Sequence, residues 1–237
     1  MGTRSIPEAR FRRPLHRRVA DELARFDAAF LDKCRCYFGG GTRIVLELGE
    51  YRESKDIDFL CADRNGYRML RETVTESSLG AMARKDLGVI RGIRADQYGI
   101  RTWLGPEGEP LKLEVVRESR IELAGARVAG IAVVALDPAC AFAEKLLANA
   151  DRGLDRSTLS RDVVDLAFMV QRWGPEPAKA GAALAREAYG MEVDRKLARV
   201  VELLRSDRAY RARCVAALAV DDAKTLAKGL ERLSRWR

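Results

Sequence analysis

The sequence predicts an α+β protein in which a mixed sheet with flanking helices, residues 1–150, precedes an α-helical bundle, residues 151–237. Three observations predict it. The run Gly39, Gly40 and Gly41 closes a short apolar segment and opens an amphipathic one, the pattern of a strand handing over to a helix. Two later segments, residues 56–61 and 111–116, alternate with the period of two that belongs to strands. Beyond Trp173, Gly174 and Pro175 only helical periodicity remains.

Residues 1–14 read as a poorly ordered, Arg-rich arm. An amphipathic helix follows over residues 15–31, where Val19, Leu23, Phe26 and Phe30 recur at steps of four, three and four. Arg12, Arg13, Arg17 and Arg18 mass at its start, where the helix dipole disfavours cations. Phosphate contact and plain solvation both account for them. Residues 34–38 make the first strand and residues 42–49 a short helix closed by Gly49. A loop over residues 51–55 leads into the strand that starts at Asp56. Asn65 and Gly66 mark a turn, and the segment to about residue 85 reads mainly as helix.

Further β-like runs cover residues 87–93, 98–104 and 111–116, with two short ones around Gly125 in residues 121–136. Asp137 as N-cap and Pro138 at the first helical position then open a helix that runs to about Asn149. Ser157 or Thr158 starts the next helix, with Leu159, Val163, Leu166 and Val170 on its core face and Asp162 and Asp165 on another. Four helices over residues 178–189, 193–204, 207–220 and 221–236 complete the chain.

Composition narrows the chemistry. With 47% hydrophobic and 33% charged residues among 237, the chain can bury a full core and is not of the disordered class. No apolar run reaches membrane-spanning length and the basic start lacks a signal peptide's apolar stretch, so a cytoplasmic protein without a membrane partner is expected. The five cysteines show no zinc spacing and read as reduced thiols. His16 is the single histidine, which excludes His-based triads and His-rich zinc sites. A net charge of +8 suits a polyanionic partner and equally a soluble basic protein.

The residues that carry chemistry lie between Tyr37 and Cys61. Gly40, Gly41 and Thr42 bring backbone N–H groups and a positive helix end to one spot, the equipment for binding phosphate. Asp56 and Asp58, at i and i+2 on a strand, point to one face while Ile57, Phe59 and Cys61 go to the core. On the later strand Leu111, Leu113 and Val115 face the core and leave Lys112 and Glu114 on the other side. There Glu114 is either a third carboxylate of the site or a surface partner of Lys112.

This order of motifs resembles the DNA polymerase beta superfamily of nucleotidyltransferases. The finer match, Gly40-Gly41-Thr42 with Arg52, Ser54, Asp56, Ile57, Asp58 and Phe59, resembles the AbiEii toxin branch. Lys145 is similar to that branch's helix lysine, and Arg161, Asp162 and Asp165 to its later Arg-Asp…Asp motif. Lys145 lies further from Asp137 than the family pattern suggests.

The resemblance implies a metal-dependent enzyme that moves a nucleoside monophosphate from an NTP to an RNA acceptor such as tRNA, with an antitoxin as partner. It implies Asp56, Asp58 and Glu114 as ligands of Mg²⁺ or Mn²⁺, and as catalytic groups together with Lys145 and Asp165. Gly40, Gly41, Thr42, Arg52, Ser54, Lys145 and Asp162 would bind the nucleotide. Two alternatives remain: a small-molecule nucleotidyltransferase of the antibiotic-modifying type, and a catalytically inactive nucleotide- or RNA-binding module.

Overall fold

A computed structural model describes residues 11–236. The arm expected over residues 1–14 therefore lies outside the described residues up to residue 10. From Phe11 the chain is anchored: Phe11 is buried, and Pro14 opens helix α1 (Pro14–Leu23) at its first position. The helix expected over residues 15–31 is two helices. Asp27 accepts a hydrogen bond from the Phe30 backbone N–H at 2.9 Å and so starts α2 (Ala28–Lys33) afresh, with the turn before it packed through Phe26.

Strand β1 (Cys36–Gly39), helix α3 (Gly40–Glu47) and strand β2 (Ile57–Cys61) follow, then helix α4 (Arg64–Thr73). The Asn65–Gly66 pair does not turn. Asp63 caps the helix through Gly66, and glycine is needed there because a Cβ would fall on the Cys34 carbonyl. Nor does α4 reach residue 85: it ends at Thr73, and a left-handed Gly80 opens a single 3₁₀ turn (Gly80–Met82). Residues 87–93 contribute one isolated bridge rather than a strand.

Strands β3 (Arg94–Ala95), β4 (Gly99–Leu104), β5 (Leu111–Arg117), β6 (Gly125–Ala126) and β7 (Ala135–Leu136) complete a mixed seven-stranded sheet of order β3-β4-β5-β2-β1-β7-β6. Helix α5 (Pro138–Arg152) begins where the sequence places it, with Asp137 accepting from the Cys140 N–H at 2.7 Å. Helix α6 (Arg161–Arg172) starts later than Ser157, because Leu159 and Ser160 both take left-handed backbone. The bundle adds α7 (Pro175–Tyr189), α8 (Glu192–Ser206), α9 (Arg208–Ala217) and α10 (Ala223–Ser234).

The sheet separates two cores. Ile57, Phe59, Cys61, Leu111, Leu113 and Val115 pack on one side with Val19, Leu23 and Leu70 from α1 and α4. Leu60, Leu136, Leu146 and Val163 pack on the other with the helices from α5 onward, so this core runs unbroken across residue 150 into the bundle. Alternation along β2 and β5 then leaves Asp58 and Glu114 facing α5 and α6. All five cysteines are free and buried, and among the described residues no helix is long and apolar enough to cross a membrane.

Candidate active site

Strand register assembles the site. Gly39 of β1 lies opposite Asp58 of β2, Asp58 opposite Glu114 of β5, and Glu114 opposite Arg101 of β4. Asp56 stands one residue before β2. These groups open on a cavity of about 340 Å³ whose lining includes Gly40, Asp56, Asp58, Lys112, Glu114, Glu144, Lys145, Arg152, Arg161 and Asp162.

The glycine turn and the carboxylate strand touch. Gly40 has φ +67°, and a Cβ added there would fall inside the Asp58 carboxylate, so backbone and space both demand glycine. A Cβ on Gly41 would collide with the Arg52 guanidinium. Thr42 is fully buried, and its hydroxyl bonds that of Ser54 at 2.8 Å, tying α3 to the loop before β2. The structure thus brings Gly40, Asp56, Asp58, Glu114, Lys145 and Asp162 to one cavity. Thr42, Arg52, Ser54 and Asp165 lie behind it.

Behind the turn runs a buried ion network. Arg52 donates to both oxygens of Asp165 at 2.7 and 2.8 Å, the Tyr51 hydroxyl donates to Asp165 at 2.6 Å, and Lys145 approaches the same carboxylate at 2.7 Å. Lys145 also donates to Asp162 at 2.9 Å, and Arg152 reaches Asp162 at 2.8 and 3.1 Å. Three cations thus face two carboxylates, which leaves one positive charge across the cavity from Asp56 and Asp58. Burial alone would raise the pKa values of Asp162 and Asp165. The charges of Lys145 and Arg152 outweigh it at Asp162, those of Arg52 and Lys145 outweigh it at Asp165, and both stay below the usual carboxylate range.

Asp58 behaves oppositely. Burial, then the charges of Asp56 and Glu114, push its pKa up to about 6 against the pull of Lys145 and Lys112. Glu114 is held low: burial is outweighed by hydrogen bonds from Lys112 at 2.6 Å and Arg101 at 2.7 Å. Among the described residues no three acidic, Cys or His side chains form a ready-made metal cage. The donor chemistry nonetheless fits a hard cation at Asp56 and Asp58, whose crowded carboxylate oxygens suit Mg²⁺. Glu114 could join them through the lone pairs that Arg101 and Lys112 leave on its two oxygens.

Three features escaped the sequence. Tyr51 completes the Asp165 site. Glu144, on the cavity wall, is pushed up to about 8 by burial and by Glu118, with Arg120 opposing. His16 is fully buried, with Nδ1 2.8 Å from Glu50 and Nε2 accepting from the Ser54 N–H at 3.4 Å. Arg12 and Arg13 bind Glu50 and Asp221, so these basic residues fasten α1 to the loop that carries Asp56. The Glu50 partner lies 34 residues from His16, and no local pattern announces it.

A glycine turn packed against a carboxylate on a mixed sheet, with helices closing the cleft, makes a site that can take a phosphate and a hard cation. Two crystal structures share the fold: a candidate nucleotidyltransferase from H. pylori (17% identity, TM-score 0.52, 93% of this chain and 90% of that one) and JHP933 from Helicobacter pylori (16% identity, TM-score 0.50, 93% and 88%). No curated protein sequence matches. The family described as "Nucleotidyl transferase AbiEii toxin, Type IV TA system" matches residues 22–230. The chain belongs to the AbiEii nucleotidyltransferase toxin family.

Proposed function

We propose that this chain transfers a nucleoside monophosphate from an NTP to a hydroxyl of an RNA such as tRNA, as the toxin of a toxin–antitoxin pair that acts in the cytoplasm. The observation that carries the reading is the contact of Gly40 with Asp58 at the mouth of a cavity whose far wall holds Lys145 and Arg152. Phosphate oxygens would meet the glycine turn on one side and that cationic wall on the other.

Asp56 and Asp58 would hold Mg²⁺ or Mn²⁺, which supplies charge neutralisation for the triphosphate and activation of the attacking hydroxyl. Asp58, whose anion is disfavoured in the metal-free chain by burial, Asp56 and Glu114, would be held ionised by that cation. Glu114, fixed by Arg101 and Lys112, would orient the acceptor beside it. Asp162 would set the position of Lys145. Asp165 and Arg52 would brace it from behind, with Thr42 and Ser54 holding the glycine turn.

Incubating the purified chain with each of the four α-³²P-labelled NTPs, Mg²⁺ and bulk RNA should place label on RNA 3′ ends, while γ-label should not transfer. No transfer to RNA from any NTP would overturn the RNA reading, and label on a small antibiotic instead would favour the alternative acceptor. Lys145→Met should weaken triphosphate binding about tenfold more than monophosphate binding in calorimetry, because the lost charge faces the terminal phosphates. It leaves Asp162 with Arg152 and Asp165 with Arg52, so the stability loss should stay within about 1–3 kcal/mol. Equal weakening for both ligands would make Lys145 a purely structural ion.

A further inference from the structure

A second cavity, about 590 Å³, adjoins the first and shares Asp56 and Arg161 with it. It lies between α1, which gives Pro14, Leu15 and Arg18, the loop before β2, which gives Lys55, and Leu218 just after α9. Its size falls in the range that takes a small ligand or the end of a chain.

Its charges are uneven. Glu53 is paired with Arg13 at 3.3 Å and Glu109 with Arg18 at 2.7 Å, and Arg52 is spent on Asp165. Lys55 and Arg161 have no side-chain hydrogen bond or ion pair among the described residues. Lys55 is exposed and Arg161 half-buried. Arg161 also sits in the first turn of α6, where the helix dipole opposes a cation, so helix stability does not account for it. The two residues before it, Leu159 and Ser160, adopt left-handed backbone at φ 56° and 47°. That conformation is costly for non-glycine residues and turns the chain abruptly at the point that presents Arg161. The Ser160 hydroxyl bonds Tyr210 at 3.0 Å instead of capping α6.

We propose that this second cavity seats the acceptor strand, with Lys55 and Arg161 gripping backbone phosphates of a single-stranded RNA end and Leu15, Pro14 and Leu218 forming the wall against its last base. The inference rests on the transfer reading only for the identity of the reacting hydroxyl, which would reach Asp56 at the junction of the cavities. Among the unpaired charges of the lining, Lys55 and Arg161 exceed Asp56 by one, and this positive excess favours a polyanion over a polycationic antibiotic. Because Lys55 lines the second cavity alone and Arg161 lines both, the two should differ in what they affect.

The test is fluorescence anisotropy with a short 3′-hydroxyl oligoribonucleotide over a salt series without nucleotide, beside calorimetry with an NTP and Mg²⁺. Lys55→Gln should weaken oligonucleotide binding roughly 5- to 10-fold, lower the log–log salt slope by about 0.7, and leave NTP binding unchanged. Lys55→Arg should restore the slope. Arg161→Gln should weaken both ligands. Leu15→Trp, which fills the cavity without removing a charge, should abolish oligonucleotide binding and spare NTP binding, and unchanged melting temperatures exclude misfolding. If the slopes of Lys55→Gln and the parent coincide while the parent binds NTP, the acceptor assignment falls and the transfer reading stands. If they separate while the parent binds no NTP, the cavity stands as a nucleic-acid site and the transfer reading falls. Tighter binding of an aminoglycoside than of the oligonucleotide would overturn the assignment outright.

Discussion

Asp58→Asn is expected to abolish nucleotidyl transfer while making the metal-free protein more stable at neutral pH. Loss of transition-state charge stabilisation on the order of 4 kcal/mol corresponds to a fall of about 10³-fold in turnover. The stability gain has a separate origin. The folded protein holds the Asp58 proton to about pH 6, against 3.8 for the ordinary side chain, because burial, Asp56 and Glu114 all disfavour the anion. The favourable contribution of the protonated form is thus complete below pH 3.8 and is lost as pH rises through 6.

At pH 8 the parent therefore carries an ionised group that destabilises it by up to about 3 kcal/mol, reduced to roughly 1–2 kcal/mol because the side chain keeps some water. Asn carries no such penalty, so its variant should melt about 2–8 °C higher at pH 8 and match the parent near pH 4. Scanning calorimetry at the two pH values measures this. Added Mg²⁺ should raise the melting temperature of the parent and not of the variant. A variant that melts lower than the parent at pH 8 would mean that the Asp58 carboxylate is already compensated, and the reading of an anion held for a cation would fail.

Asp58 could be found from the sequence because the signal is local. Period-two alternation in residues 56–61 and 111–116 fixes which side chains leave the core, and the chain needs no distant contact to express it. The same holds for Asp137, whose cap depends only on Cys140 three residues on. The failures are equally physical. A break between α1 and α2, a glycine inside α4 and a late start to α6 were each decided by a neighbour remote in sequence or by unusual backbone: Met82 receives the Asp27 N–H, Cys34 crowds Gly66, and Ser160 turns left-handed.

The partition of the site was also hidden. A salt bridge from Lys145 to the helix of Asp162 and Asp165 is legible in the sequence, whereas only the folded chain reveals that Asp165 also holds Arg52. Lys55 and Arg161 carry the same charge in the sequence, yet among the described residues neither has a side-chain hydrogen bond or ion pair. Spacing shows which residues share a face, and charge pairing across 113 residues, as between Arg52 and Asp165, lies beyond it.

Asp165→Ala is expected to be the most destabilising single change in this region. Asp165 is fully buried and takes four contacts: two from Arg52, one from Tyr51 and one from Lys145. Removing it strands Arg52, which is 3% exposed, and leaves Lys145 with Asp162 alone. Removing one partner of a buried ion pair costs about 3–5 kcal/mol, since the remaining charge keeps its desolvation penalty. For a chain of this size that is a fall of roughly 6–20 °C in melting temperature.

Asp165→Asn keeps the shape and the Tyr51 contact but not the charge, so an intermediate loss of about 2–3 kcal/mol is expected. Double substitution of Arg52 and Asp165 by Met and Leu should recover much of the loss, because no buried charge is then stranded. That recovery should not restore transfer. Lys145 would lack its brace, and the KM for the NTP should rise while oligonucleotide binding stays near that of the parent. Melting curves and initial rates on the three variants decide it. A parental melting temperature in Asp165→Ala would show that this network does not hold the fold, and full activity in the double variant would show that it does not position Lys145.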